Sequence, residues 1–142
     1  MAFTWTQDLA VGVKQIDAQH RELFERINSL LEAMSQGKGR EEVARLLAFL
    51  EDYVVEHFRT EEGYMVRRGY PDYRAHRELH KGFNKDLRDF KQDLETKGLS
   101  SVLVISFQRH ICDWWREHVA KKDRAFGSYL NDTSPPPLKF LK

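Results

Sequence analysis

The sequence predicts an all-α fold, an antiparallel up-down-up-down four-helix bundle with an N-terminal arm and a short C-terminal tail. Three observations predict it. Four stretches carry apolar residues at three- and four-residue spacing, the period of an amphipathic helix. The breaks between them are a few residues long, which turns each helix back along the one before it. The chain has 142 residues, enough for one domain with one substantial core.

The first helix runs from about Ala18 to Gln36, with Leu23, Ile27, Leu30 and Met34 on one face. Asp17 stands where an N-cap would, and Gly37 and Gly39 end the helix. The second covers about Arg40 to Arg68 and keeps Val43, Leu47, Leu50, Val54, His57 and Glu61 in register, with Gly69 as its stop. Pro71 opens the third, because the missing N–H of proline does no harm in a first turn. That stripe reads His76, His80, Phe83, Leu87, Phe90 and Leu94, and Gly98 closes it. The fourth begins near Ser100, carries Val104, Phe107, Ile111, Trp114 and His118, and ends about Gly127.

The bundle, with its arm, is expected to occupy residues 1–130. The arm, residues 1–16, holds Phe3, Trp5, Leu9, Val11, Val13 and Ile16, too apolar to lie free in water. Residues 131–142 form a tail whose Pro135, Pro136 and Pro137 cannot continue a helix. Its Phe140 and Leu141 are candidates to dock on the bundle or on a partner. Neither an internal repeat nor a second domain is visible.

Composition excludes several classes of function. The 23 basic and 22 acidic residues leave a formal net charge of +1, which gives nucleic acid or an anionic membrane no footprint. The apolar runs are too short to span a bilayer. The segment Met1-Ala2-Phe3-Thr4-Trp5-Thr6-Gln7-Asp8 lacks the basic and apolar regions of a secretory signal. One cysteine, Cys112, cannot form an internal disulfide, which suits a reducing compartment. The reading is therefore cytoplasmic.

Chemistry enters where polar residues interrupt the apolar stripes. His57 and Glu61 lie four apart on the second helix, His76 and His80 four apart on the third, and His118 continues the fourth. Side chains at i and i+4 point the same way, so each pair can grip one ion. Asp123 follows His118 by five residues, about 140° round an ideal helix, and needs a local distortion to join them. No lysine or arginine occupies these stripes to pair the carboxylates, and an unpaired buried carboxylate is costly. Metal binding answers that cost. A single histidine on an apolar stripe is more often a satisfied core residue, but several imidazoles and two carboxylates together are not. Such donors suit iron, manganese or zinc, and spacing does not choose among them.

The segments Asp17-Ala18-Gln19-His20-Arg21-Glu22-Leu23-Phe24, His57-Phe58-Arg59-Thr60-Glu61-Glu62 and Gly69-Tyr70-Pro71 with His76 and His80 resemble the hemerythrin family, as does Trp114 with His118 and Asp123. Its bacterial single-domain members, the bacteriohemerythrins, are the nearest in pattern. The likeness runs from about Phe3 to Tyr129 and fills every metal-ligand position. It implies two iron ions. His76, His80 and His118 would complete one, and His20 and His57 the other. Glu61 and Asp123 would bridge both, with a solvent-derived oxo or hydroxo group as a third bridge. Two six-coordinate irons so held keep one open position, on the ion with two histidines, where dioxygen can bind as ligand.

By the same likeness Phe58, Trp114, Trp115 and Val119 line the oxygen pocket and exclude water, although any bundle core would be apolar there. Trp115 stands where the family commonly has leucine, and Val119 where it commonly has isoleucine. That exchange conserves volume, as cores tolerate best, and suggests that the indole closes or gates the pocket. His110 falls off the ligand direction and reads as a surface residue. Cys112 reads as packing, and Lys121, Lys122 and Arg124 as a solvated face.

The function implied is reversible dioxygen binding for storage, delivery or transport, not catalysis. A di-iron oxidase or peroxidase of the ferritin-like type would use Glu-x-x-His motifs. Here Asp17, Val54, Tyr73, Arg77, Phe107 and Trp115 precede the six histidines by three. An oxygen or redox sensor is the other alternative, and it would need a partner to carry its output. An oxygen-consuming protein is the partner expected for a carrier.

Overall fold

Stripes of helical period bury themselves against one another in the computed structural model, which describes residues 3–133. Helix α1 spans Lys14–Ser35, α2 Arg40–Arg68 and α3 Tyr73–Lys97. A fourth rod, residues 101–132, comprises α4 (Ser101–Phe107), α5 (Asp113–His118) and α6 (Arg124–Asp132). Two π turns, Gln108–Cys112 and Val119–Asp123, join these three. The residues at each junction keep right-handed helical dihedrals, so the rod is continuous. No strand occurs among the described residues.

The expected stripes are the core. Leu23, Ile27, Leu30 and Met34 of α1 meet Val43, Leu47, Leu50 and Val54 of α2, and Phe83, Leu87, Phe90 and Leu94 of α3 are likewise buried. Phe107 and Ile111 join them from the fourth rod, while Val104 and Trp114 are half-buried. Each fully buried aliphatic or Phe side chain contributes about 1.5–3 kcal/mol relative to exposure. Local signals set the ends. Gly69 takes the left-handed conformation (φ 65°) that glycine adopts without a Cβ penalty. The amide of Tyr70 then donates back to the Met65 carbonyl at 2.9 Å. Ser100 Oγ accepts from the Leu103 amide at 3.1 Å and caps the fourth rod.

Four expectations need correction. Helix α1 begins at Lys14, so Asp17 is not its N-cap. The Asp17 carboxylate instead reaches back to accept the amides of Val11 (2.8 Å) and Gly12 (3.2 Å), tying the arm to the first turn. Pro71 lies in the turn before α3, which starts at Tyr73. Gly127 does not end the fourth rod, which continues to Asp132. It is glycine because the arm crosses there: a Cβ at this position would sit 2.1 Å from the Val11 carbonyl oxygen. The tail begins later than residue 131, since Asn131 and Asp132 complete the rod.

The arm packs along the bundle. Phe3 stacks on Phe24 with ring centres 4.2 Å apart, and Leu9, Val11 and Ile16 are buried. At the other terminus the Tyr129 hydroxyl donates to the Arg68 carbonyl at 2.8 Å, and Arg68 Nη2 donates to the Thr133 carbonyl at 2.8 Å. The C-terminus of the rod is thereby fixed to that of α2. Pro135, Pro136, Pro137, Phe140 and Leu141 lie outside the described residues.

Candidate metal centre

The four helices each bring polar side chains to one buried locus. His20 comes from α1, His57 and Glu61 from α2, His76 and His80 from α3, and His118 and Asp123 from the fourth rod. None is more than 4% exposed. The donor atoms fall into two groups, each within 4.8 Å: Glu61, His76, His80, His118 and Asp123 in one, and His20, His57, Glu61 and Asp123 in the other. Both carboxylates belong to both groups.

Each carboxylate divides its oxygens between the groups. Glu61 Oε1 lies 3.0 Å from His76 Nε2 and 3.2 Å from His80 Nε2. Its Oε2 lies 3.8 Å from His20 Nε2 and 3.6 Å from His57 Nε2. Asp123 Oδ1 lies 3.0 Å from His76 Nε2 and 3.2 Å from His118 Nε2, and its Oδ2 lies 3.0 Å from His20 Nε2. Despite these distances, all four oxygens and the Nε2 atoms of His76, His80 and His118 lack a hydrogen bond of acceptable geometry. Buried polar atoms left without partners cost free energy. His20 Nε2 and His57 Nε2 face each other at 3.1 Å, and the remaining atoms converge on a common locus without pairing, as a cation-binding site requires.

The electrostatics agree. Burial alone would push the Asp123 carboxyl up, but His118, His20 and His76 beside it hold it well below the usual carboxylate range. Glu61 is lowered too, against burial and the Asp123 charge, by His76 and His80. Burial holds His57 down to about 4, so its imidazole is neutral. Burial also works against His76, yet the Asp123 and Glu61 carboxylates raise it to about 9. The locus thus presents two carboxylate anions that attract positive charge.

The five-residue gap between His118 and Asp123 is resolved by the π turn. A turn closed by i→i+5 hydrogen bonds holds one extra residue. The fifth residue therefore returns to about the direction the fourth has in an α-helix. Asp123 is fully buried in consequence, while its neighbours Lys121, Lys122 and Arg124 face solvent.

Aromatic rings enclose the locus. Phe58 stacks on the His80 imidazole (3.7 Å, 8°) and Trp114 on that of His118 (4.4 Å, 12°). Trp115 is fully buried, 5.4 Å from Phe58 and 5.8 Å from His57, and its indole N–H has no acceptor. Val119 is fully buried as well. A shallow surface groove of about 210 Å³ between Leu79, Trp114, Lys121 and Lys122 reaches the edge of His118. His110 is exposed and apart from the cluster, and Cys112 is buried packing.

Periodicity placed Phe83 on the core stripe without giving it a place in the site, and it did not single out Gln19 or Glu62. Phe83 lies 5.1 Å from Trp115 and 4.6 Å from Trp114, in the same aromatic wall. Gln19 Oε1 lies 2.8 Å from His57 Nδ1, and Glu62 Oε2 lies 2.7 Å from His80 Nδ1. Each adjoins a ligand candidate in sequence, about 100° away round the helix, and so counts as outward-facing in a one-helix reading. The signal available was polarity beside a stripe histidine or glutamate.

The chain is similar to known proteins over the stretch that contains these residues. The family model described as the hemerythrin HHE cation binding domain matches residues 11–130. Bacteriohemerythrin of Pseudomonas aeruginosa is 37% identical over 141 residues, covering 89% of this chain and 92% of that protein. Bacteriohemerythrin of Methylococcus capsulatus is 32% identical over 131 residues, covering 90% and 96%. The crystal structure of a wild-type hemerythrin superposes with a TM-score of 0.79 at 30% identity, covering 89% of this chain and 96% of the other.

Proposed function

Because this chain belongs to the hemerythrin family, we propose that it binds dioxygen reversibly at a non-haem di-iron centre, as an oxygen carrier or store. His76, His80 and His118 hold one iron, His20 and His57 the other. Glu61 and Asp123 would serve both ions, with a solvent-derived oxo or hydroxo group beside them. The observation that carries this reading is the division of each carboxylate between two donor groups. Glu61 turns Oε1 to His76 and His80 and Oε2 to His20 and His57. Asp123 turns Oδ1 to His76 and His118 and Oδ2 to His20.

When bound, the two irons would supply the two electrons that reversible capture of dioxygen takes. The chain's own residues do the rest. The two carboxylate anions offset much of the ions' charge, so the centre can be buried. Phe58, Trp114, Trp115 and Val119 form the oxygen pocket and keep out water and external acids. Seven protein ligands leave little room for an organic substrate, so the chain carries oxygen and is not an enzyme.

Among the described residues no helix is long and apolar enough to cross a membrane. Cytoplasmic residence and an oxygen-consuming protein partner complete the proposal, supported by the lone cysteine and by the carrier role. Elemental analysis after anaerobic reconstitution with iron is the test. Two irons per chain are expected. One metal per chain, or mainly zinc, contradicts the reading.

A further inference from the structure

The outward ring nitrogens of the histidines meet unequal partners. His80 Nδ1 meets the carboxylate of Glu62 at 2.7 Å, and that side chain is 24% exposed. His57 Nδ1 meets the amide oxygen of Gln19 at 2.8 Å. The direction of that amide is fixed by its far end. Gln19 Nε2 donates to Thr60 Oγ1 at 3.3 Å, and the Thr60 hydroxyl gives its own hydrogen to the Glu56 carbonyl at 3.0 Å. Thr60 Oγ1 therefore accepts from Gln19, and Gln19 Oε1 can only accept from His57. A carboxylate likewise only accepts. Both histidines thus carry a proton on Nδ1 and turn Nε2 to the centre. His20 Nδ1, by contrast, is buried without any partner.

We propose that Glu62 and Gln19 are positioning residues that make the two iron positions electronically unequal, an inference that rests on the di-iron reading above. An anionic acceptor draws the Nδ1 proton toward itself and strengthens Nε2 as a donor, and a neutral amide does so less. The Glu62 push acts on the three-histidine position and favours the higher oxidation state there. The two-histidine position, where oxygen would bind, keeps the weaker donors His57 and His20. Glu62 and Gln19 are both part-exposed, so exchanging charge between them strands no buried ion.

Glu62→Gln keeps an acceptor oxygen and removes only the charge, and Gln19→Glu adds charge to the other side. Two quantities are measured on the whole chain: cobalt(II) binding by the metal-free protein and the midpoint potential of the iron-loaded protein. Glu62→Gln should weaken cobalt affinity about tenfold or more. It should also raise the potential, by about 59 mV for a tenfold change in a one-electron couple. Gln19→Glu should tighten cobalt binding and lower the potential. If both variants match the wild type, or both move in the same direction as a merely structural disturbance would, the proposal is overturned. Should Glu62→Gln fail to fold, Gln19→Glu decides alone, and a potential that stays or rises overturns it. Wild-type protein that takes up a single ion would overturn the di-iron reading itself, whereas two ions with unmoved potentials would sink only this inference.

Discussion

Helix α2 and the fourth rod each supply two candidate ligands to the same buried cluster, yet they are built differently. On α2, His57 and Glu61 are four residues apart and the helix is regular from Arg40 to Arg68. On the fourth rod, His118 and Asp123 are five apart and the intervening residues form a π turn. An α-helix presents residues four apart on one face without distortion. A spacing of five is served only by putting one more residue into the turn, at the expense of regular i→i+4 hydrogen bonds. Of the rod's two π turns, the second lies where the candidate ligand is, and there the cluster shapes the helix as much as the helix positions the cluster.

The largest effect should come from the residues the two helices share out between both groups. Glu61→Ala and Asp123→Ala should each take the metal content from two irons to none, with His110→Ala as the unaffected control. Elemental analysis of the three variants checks this, and a di-iron content that survives Glu61→Ala would remove α2's carboxylate from the centre.

A pair of deletions sharpens the contrast between regular and π geometry. Deleting Ala120 removes the extra residue, leaves Asp123 at α-helical spacing from His118, and keeps Phe126, Gly127 and Leu130 in phase. That variant should retain two irons and lose no more than about 1 kcal/mol of stability. Deleting Ala125 in α6 has no such escape. Either Phe126, Gly127 and Leu130 rotate out of the core by about 100°, or the π turn straightens and Asp123 leaves the cluster. Loss of the metal, or of about 3–5 kcal/mol as for truncating a core aromatic, is expected. Equal metal content and equal melting in the two deletions would show that the π turn is incidental.

A smaller effect should separate the two aromatic walls. Phe58 of α2 stacks on a histidine ring, whereas Trp115 of the fourth rod stacks on Phe58, lies tilted to the His57 ring and leaves its N–H unpaired. Trp115→Leu should keep both irons, cost about 2 kcal/mol for the space it opens, speed oxygen release and accelerate autoxidation by admitting water. Stopped-flow release and autoxidation rates equal to the wild type would reduce Trp115 to packing.

The same contrast marks what the sequence disclosed. Glu61, His57, His76, His80 and His118 interrupt apolar stripes at helical period, so periodicity placed them on the buried faces. Spacing left Asp123 in need of a local distortion and only the family resemblance gave it a role, because nothing local announces a π turn; burial of both His118 and Asp123 imposes it. Asp17 looked like a cap because its chemistry, accepting backbone amides near a helix start, is a cap's chemistry. The amides it accepts belong to an arm five and six residues back. Gly127 looked like a helix stop for a comparable reason: only the arm's path over the rod shows that it makes room for a carbonyl. Each of these depends on what a distant segment does, which one helix's pattern does not contain.

The central claim is tested most directly by the optical spectrum of the reduced, iron-loaded protein taken through repeated cycles of oxygen and inert gas. A visible absorption band that appears with oxygen, vanishes under inert gas and returns at similar amplitude is the result expected of a reversible oxygen carrier. A single exposure that converts the protein to a stable ferric spectrum, with no recovery under inert gas, would contradict it.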